Sequence, residues 1–106
     1  MVKVKCNPRQ LTLIMEGHAG VAARGNDLVC AGISAIVQAL EYNLEKERDE
    51  KLEDLVITKR DGFFKIAAKA REPYQREMEK EFRYTVNGLR MVREDCPRAI
   101  RVHEEG

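Results

Sequence analysis

Residues 55–70, Leu55-Val56-Ile57-Thr58-Lys59-Arg60-Asp61-Gly62-Phe63-Phe64-Lys65-Ile66-Ala67-Ala68-Lys69-Ala70, decide the architecture. Leu55 and Ile57 open one strand. Phe64, Ile66, Ala68 and Ala70 recur every second residue and mark another, the period of a half-buried strand. Arg60-Asp61-Gly62 between them is hairpin turn chemistry. Phe63 and Phe64 are adjacent on one strand, so they face opposite ways: one belongs to the core, and the other is free to line a peptide groove, make a dimer contact or stay on the surface.

Outward from this hairpin, both flanks turn helical. Upstream, residues 45–54 form a dense charge run that reads as a solvated helix end and linker. Before it, Val29, Ile33, Ile36, Leu40 and Leu44 recur at spacings of three and four, which predicts a helix over residues 28–46 with Asn26 or Asp27 as its N-cap. Its first half is apolar or small on nearly every side and is expected to be buried all round. Downstream, Pro73 suits the first turn of a second helix, and Tyr74, Met78, Phe82, Val86, Leu89 and Val92 line one face of it until Pro97 stops it. At the N-terminus, Val2 and Val4 alternate with lysines, Asn7-Pro8-Arg9 turns the chain, and Leu11, Leu13 and Met15 form a second strand. Residues 17–26 carry three glycines and read as a flexible loop; residues 99–102 are a candidate last strand.

The order is ββαββα, with that candidate fifth strand at the end. It predicts an α+β two-layer sandwich: a mostly antiparallel sheet of four to five strands with two helices on one face. With 106 residues the chain fits a single domain over 1–106.

The net charge is +1, and acids and bases are interspersed, so composition argues against a nucleic-acid partner. No signal-like stretch opens the chain and no apolar run approaches a membrane span, which predicts a soluble cytoplasmic protein with no membrane contact. Cys6, Cys30 and Cys96 are an odd count at wide spacing, without a CxxC or a Cys/His cluster. They read as free thiols, and no metal or cofactor is expected.

Chemistry concentrates in Gly17-His18-Ala19-Gly20 and in Asn26-Asp27-Leu28-Val29-Cys30-Ala31-Gly32-Ile33-Ser34. A thiol near a helix N-terminus feels the positive end of the macrodipole and nearby free N–H groups, both of which favour thiolate. An imidazole beside it takes and returns a proton near neutral pH. Such a pair attacks a carbonyl, forms a thioester and releases it to water, with N–H groups such as those of Val29 and Cys30 available to an oxyanion. Other readings stand beside this one. Cysteine in an apolar helix is often a small buried hydrophobe. His18 also reads as a loop hydrogen-bonder, and Asp27 either caps the helix or orients His18. Cys6 and Cys96 read as packing residues and His103 as a solvated tail residue. On this second view the chain is a non-catalytic, ribosome-associated protein-binding module.

The two motifs together resemble the ribosomal-processing cysteine proteases, the Prp family, over residues 13–40. That resemblance implies a cysteine endopeptidase that removes the N-terminal extension of bacterial large-subunit ribosomal protein number twenty-seven, cutting after an apolar stretch that contains aromatics. It implies Cys30 as nucleophile and His18 as acid/base, with Gly17 permitting the turn that aims His18 and Ser34 supporting the site one helical turn beyond Cys30. It also implies a homodimer and a loop that closes over substrate. The loop here, Gly20-Val21-Ala22-Ala23-Arg24-Gly25-Asn26, holds no aromatic residue.

Overall fold

Alternation along the chain sorts side chains onto two sides of one sheet. In the computed structural model, which describes residues 1–17 and 24–106 and only the backbone of residues 24–29, β1 (Val2–Asn7) buries Val2, Val4 and Cys6 and exposes Lys3 and Lys5. β2 (Thr12–Glu16) returns antiparallel beside it, after a turn closed by Leu11 with φ 56°. β3 (Leu52–Arg60) and β4 (Phe63–Ala70) form the predicted hairpin around Gly62 (φ 69°). β5 (Ile100–Glu104) is the candidate last strand, and it runs parallel to β1. The sheet order is β3-β4-β2-β1-β5, so three pairings are antiparallel and the one that closes the far edge is parallel.

Two helices cover one face. α1 (Arg24–Lys51) buries Ile33, Val37, Leu40 and Leu44, and α2 (Gln75–Asp95) buries Met78, Phe82, Val86 and Leu89. Between these stripes and the sheet lie Leu11, Leu13, Phe64, Ile66 and Ile100, forming one core. Phe64 is therefore the core member of the aromatic pair, while Phe63 stays half-buried. Burying each of these side chains contributes roughly 1.5–3 kcal/mol, so the helix stripes and the inner sheet face carry most of the stability.

Three expectations change. α1 begins at Arg24, so Asn26 and Asp27 lie inside the helix rather than capping it, and the cap position falls outside the described residues. Residues 45–51 are helix, not linker, and β3 starts at Leu52 with no intervening loop. Glu, Lys and Arg are good helix formers, and Glu47 pairs with Lys51 one turn on at 3.3 Å, so the charge run extends the helix instead of ending it. Finally, α1 is buried on one face only: Ala31, Ala35, Gln38 and Ala39 are exposed, because nothing in a two-layer fold covers the outer side of the helix. Pro73 sits in a 3₁₀ turn, Glu72–Tyr74, that leads into α2.

Where α1 meets α2, acids crowd. The carboxylates of Glu47, Glu77 and Glu81 lie within 4.8 Å of one another, with the Lys51 ammonium 2.6 Å from Glu77. Burial, a hydrogen bond with Glu47 and the negative charges of Glu47 and Glu77 push the Glu81 carboxyl up to about 7 from an ordinary 4.5. The folded protein thus keeps a proton that the unfolded chain releases between those values, and stability falls as pH rises through that window. Glu81→Gln is expected to stabilise the protein at pH 8 by about 1 kcal/mol, allowing for screening at this half-buried group, and to change little at pH 4.5. Thermal melts at the two pH values check this; equal shifts at both would contradict it.

Candidate active site

The pairing of β2 with β4 brings the two informative segments together. Met15 lies opposite Phe64 and Glu16 opposite Phe63, so the end of β2 meets the β3–β4 turn. There the Gly17 N–H donates to the Gly62 carbonyl at 2.8 Å. Gly17 has φ 97°, and a Cβ on it would stand 2.5 Å from the Met1 carbonyl oxygen. Both the left-handed backbone and the close approach of β1 require glycine at this position. The chain direction at the residue before His18 is thereby fixed. His18 itself lies outside the described residues, as does most of the predicted glycine loop.

On the helix side, Cys30 is the seventh residue of α1, two turns in, and is a half-buried free thiol packed against the rim of the core. This depth corrects one sequence argument. Only the first four N–H groups of a helix lack intrahelical partners, and the macrodipole acts mainly within the first turn. The amides of Val29 and Cys30 therefore belong to the helical ladder, and the free donors within α1 are those of residues 24–26. Asp27 follows directly after them, three residues before Cys30. Ser34, one turn after Cys30, is half-buried.

Gly17 and Ser34 line the same cleft, of about 260 Å³, between the middle of α1 and the ends of β2, β3 and β4 that meet the β3–β4 turn. Met15, Val37, Phe63 and Phe64 give it apolar walls. Lys59 and Arg60 on the edge strand β3 give it a basic rim. Each cation is held in place: the Lys59 ammonium bonds Glu41 at 2.8 Å and lies 5.9 Å from the Phe64 ring centre, and the Arg60 guanidinium stacks 4.6 Å from that of Phe63. Such a cleft suits an extended chain with apolar side chains, laid beside the free edge of β3. Of the expected site residues, Gly17 and Ser34 line one cleft; Cys30 is not in its lining and lies one helical turn before Ser34, with Asp27 three residues earlier still. Lys59, Arg60 and Gln38 were not anticipated; the residues around Asp61 carried only a turn signal, and their place at the cleft depends on the β2–β4 register.

The three thiols differ in environment. Cys6 is fully buried, and burial, aided by Glu104, pushes its thiol up to about 12. Iodoacetamide is expected to modify Cys30 in the folded protein while Cys6 stays unmodified until the protein unfolds, as read by peptide mass spectrometry. Equal labelling of the two would contradict the packing described. Among the described residues, the carboxylates of Glu47, Glu77 and Glu81 are the one cluster with metal-ligand spacing, and Lys51 already stands there as the counter-ion. They lie ~15 Å along α1 from the cleft residue Val37.

A family profile described as cysteine protease Prp matches residues 1–101. The chain belongs to this family. No curated protein sequence matches it. Among solved structures, the Staphylococcus aureus ribosomal processing protease Prp with a covalently linked product peptide aligns with TM-score 0.75 and 23% identity, covering 99% of this chain and 100% of that one. The same protease with a substrate peptide aligns with TM-score 0.74 and 22% identity over the same shares of each chain. A Streptococcus mutans protein aligns with TM-score 0.74 and 21% identity, covering 98% of this chain and 93% of that one. At these identities the structures support the fold: the two-layer α+β architecture is that of Prp. The family match makes the chain a cysteine protease.

Proposed function

We propose that this Prp-family protease removes the N-terminal extension of a large-subunit ribosomal protein, bacterial protein number twenty-seven, with Cys30 as nucleophile and His18 as general acid/base. The observation that carries the reading is the cleft that joins Gly17, the residue before His18, to Ser34, one turn beyond the half-exposed thiol of Cys30. The Staphylococcus aureus relative is a ribosomal processing protease bound to peptides, which supports the same substrate class.

In the reaction, His18 takes the thiol proton and the Cys30 sulfur attacks the scissile carbonyl carbon, giving a tetrahedral oxyanion. The free amides of residues 24–26 and the positive end of α1 are the donors available to that charge. His18 then gives its proton to the departing amine as the C–N bond breaks, leaving a thioester. Water, deprotonated by His18, attacks the thioester, and the sulfur leaves and recovers its proton. Asp27 and Ser34 support the pair. The Phe63/Phe64 wall receives the apolar residues before the cut.

The protein acts in the cytoplasm as a homodimer on this reading. Among the described residues no helix is long and apolar enough to cross a membrane. The exposed small face of α1, with Ala31, Ala35 and Ala39, supports self-association through the helix layer. The test is incubation with the ribosomal protein in its extended and mature forms, followed by intact-mass measurement. A single cut that releases the extension, with the mature form untouched, is expected. No cut in the extended form would overturn the assignment.

A further inference from the structure

Composition alone argues against a nucleic-acid partner, because acids balance bases. Folding sorts them. The helices take a large share of the acids, while the face of the sheet away from the helices collects lysine and arginine. Parallel pairing of β1 with β5 sets Arg101 beside Lys3 and His103 beside Lys5. Two strands over, in the same row as Lys5 and Ile14, β4 adds Lys65. Lys3, Lys65 and Arg101 have no ion-pair partner among the described residues. Lys5 has only a 3.6 Å contact with Glu105 in which both side chains are largely exposed. Glu16, opposite Lys3, is the one acid between them. Like charges side by side on neighbouring strands oppose folding, and none of these side chains packs in the core. A groove of about 310 Å³ runs among Lys3, Lys5, Ile14, Arg101 and His103, with the acid Glu16 also in its lining.

From this pattern we infer that the open sheet face binds single-stranded RNA through its phosphates. The cations stand on a flat lattice with steps of ~4.8 Å across strands and ~6.7 Å along them, so they meet a flexible chain of regularly spaced charges laid over the sheet. Among the described residues this face carries no helix that would enter a duplex groove. Phe63, its one aromatic neighbour, is covered by Arg60, so contact is made with phosphates and not with stacked bases, and recognition is independent of sequence. The inference does not rest on the protease reading, because binding is measured without cleavage.

Fluorescence anisotropy with a labelled 20-nucleotide oligo-U tests it. Binding is expected to weaken with salt at a log–log slope of about −3, as four neutralised phosphates require. The triple variant Lys3→Glu, Lys65→Glu, Arg101→Glu is expected to lose at least roughly tenfold in affinity and most of that slope. A control with the same change in net charge on the helix side, Arg48→Glu, Arg76→Glu, Lys80→Glu, is expected to retain the slope. Single Lys3→Gln, which leaves the fold undisturbed, is expected to reduce the slope by about 0.7. Equal losses in the sheet and helix triples, an unchanged slope in Lys3→Gln, or equal binding of a poly-glutamate chain of the same length would overturn the inference.

Discussion

Cys30→Ala is expected to lower cleavage of the extended ribosomal protein by a factor on the order of 10⁴ or more, while the thermal midpoint moves little. On the proposed mechanism the rate loss follows from removing the group that forms the covalent intermediate; in proteases that use such a unit, deleting the nucleophile leaves only what binding and oxyanion donors supply. The small stability effect follows from position. Cys30 is half-buried at the edge of the core, three residues ahead of Ile33, the first buried side chain of α1 among the described residues. Trimming one sulfur there creates no enclosed cavity, and the change should stay within ~1 kcal/mol. His18→Ala should remove proton transfer and cost ~10²–10⁴-fold. A Cys30→Ala protein that cleaves at the parent rate would move the nucleophile elsewhere, and the other two thiols would then need the same test.

The second large effect is expected at Gly17. Alanine there would place its methyl 2.5 Å from the Met1 carbonyl oxygen at a φ of 97°, so both the backbone and the start of β1 must give way. A strained left-handed residue costs ~1 kcal/mol and overpacking against backbone a further 1–3, so Gly17→Ala should lose about 2–4 kcal/mol and roughly 10 °C or more in midpoint. Activity should fall as well, because the displaced segment leads directly into His18, and a misplacement of 1 Å in a reacting group is enough for a ~10²-fold loss. Gly32→Ala is the control. It lies two residues from Cys30 in the same motif, yet a Cβ there meets nothing within 4 Å, and alanine in a helix interior should stabilise by ~0.5–1 kcal/mol. Melting curves and initial rates for the pair separate the effects; a Gly17→Ala protein as stable and active as its parent would show that the backbone at this bend is not constrained.

The sequence makes legible whatever depends on local periodicity. The Phe64-Ile66-Ala68-Ala70 alternation gives β4, and Met78-Phe82-Val86-Leu89 gives the buried stripe of α2. The Gly-His-Ala and Cys-Ala-Gly segments point to cysteine protease chemistry, in agreement with the family match. Other features depend on partners distant in the chain. The β2–β4 register that carries Gly17 to Gly62, and the Lys59–Arg60 rim of the cleft, follow from sheet order, which no short window specifies. The start of α1 is ambiguous in the sequence because Asn26 and Asp27 are good capping residues that equally tolerate a first helical turn. Its end is ambiguous because a charge run suits a solvated linker and, with Glu47 and Lys51 one turn apart, a helix equally. Sorting of lysines to one sheet face was implicit in the alternation of β1, but overall charge balance concealed it.

α1 is ~42 Å long, and its buried anchors run from Ile33 to Leu44, while Cys30 rides on the turns beyond them. The protein thus has a division of labour along one rod. Substitutions at the half-buried Cys30 and the exposed Ala31 bear on what is cut or how fast, with little effect on the chain's ability to fold. Changes in the anchored half affect every activity alike, through the amount of intact protein. Selection can therefore adjust the two properties independently.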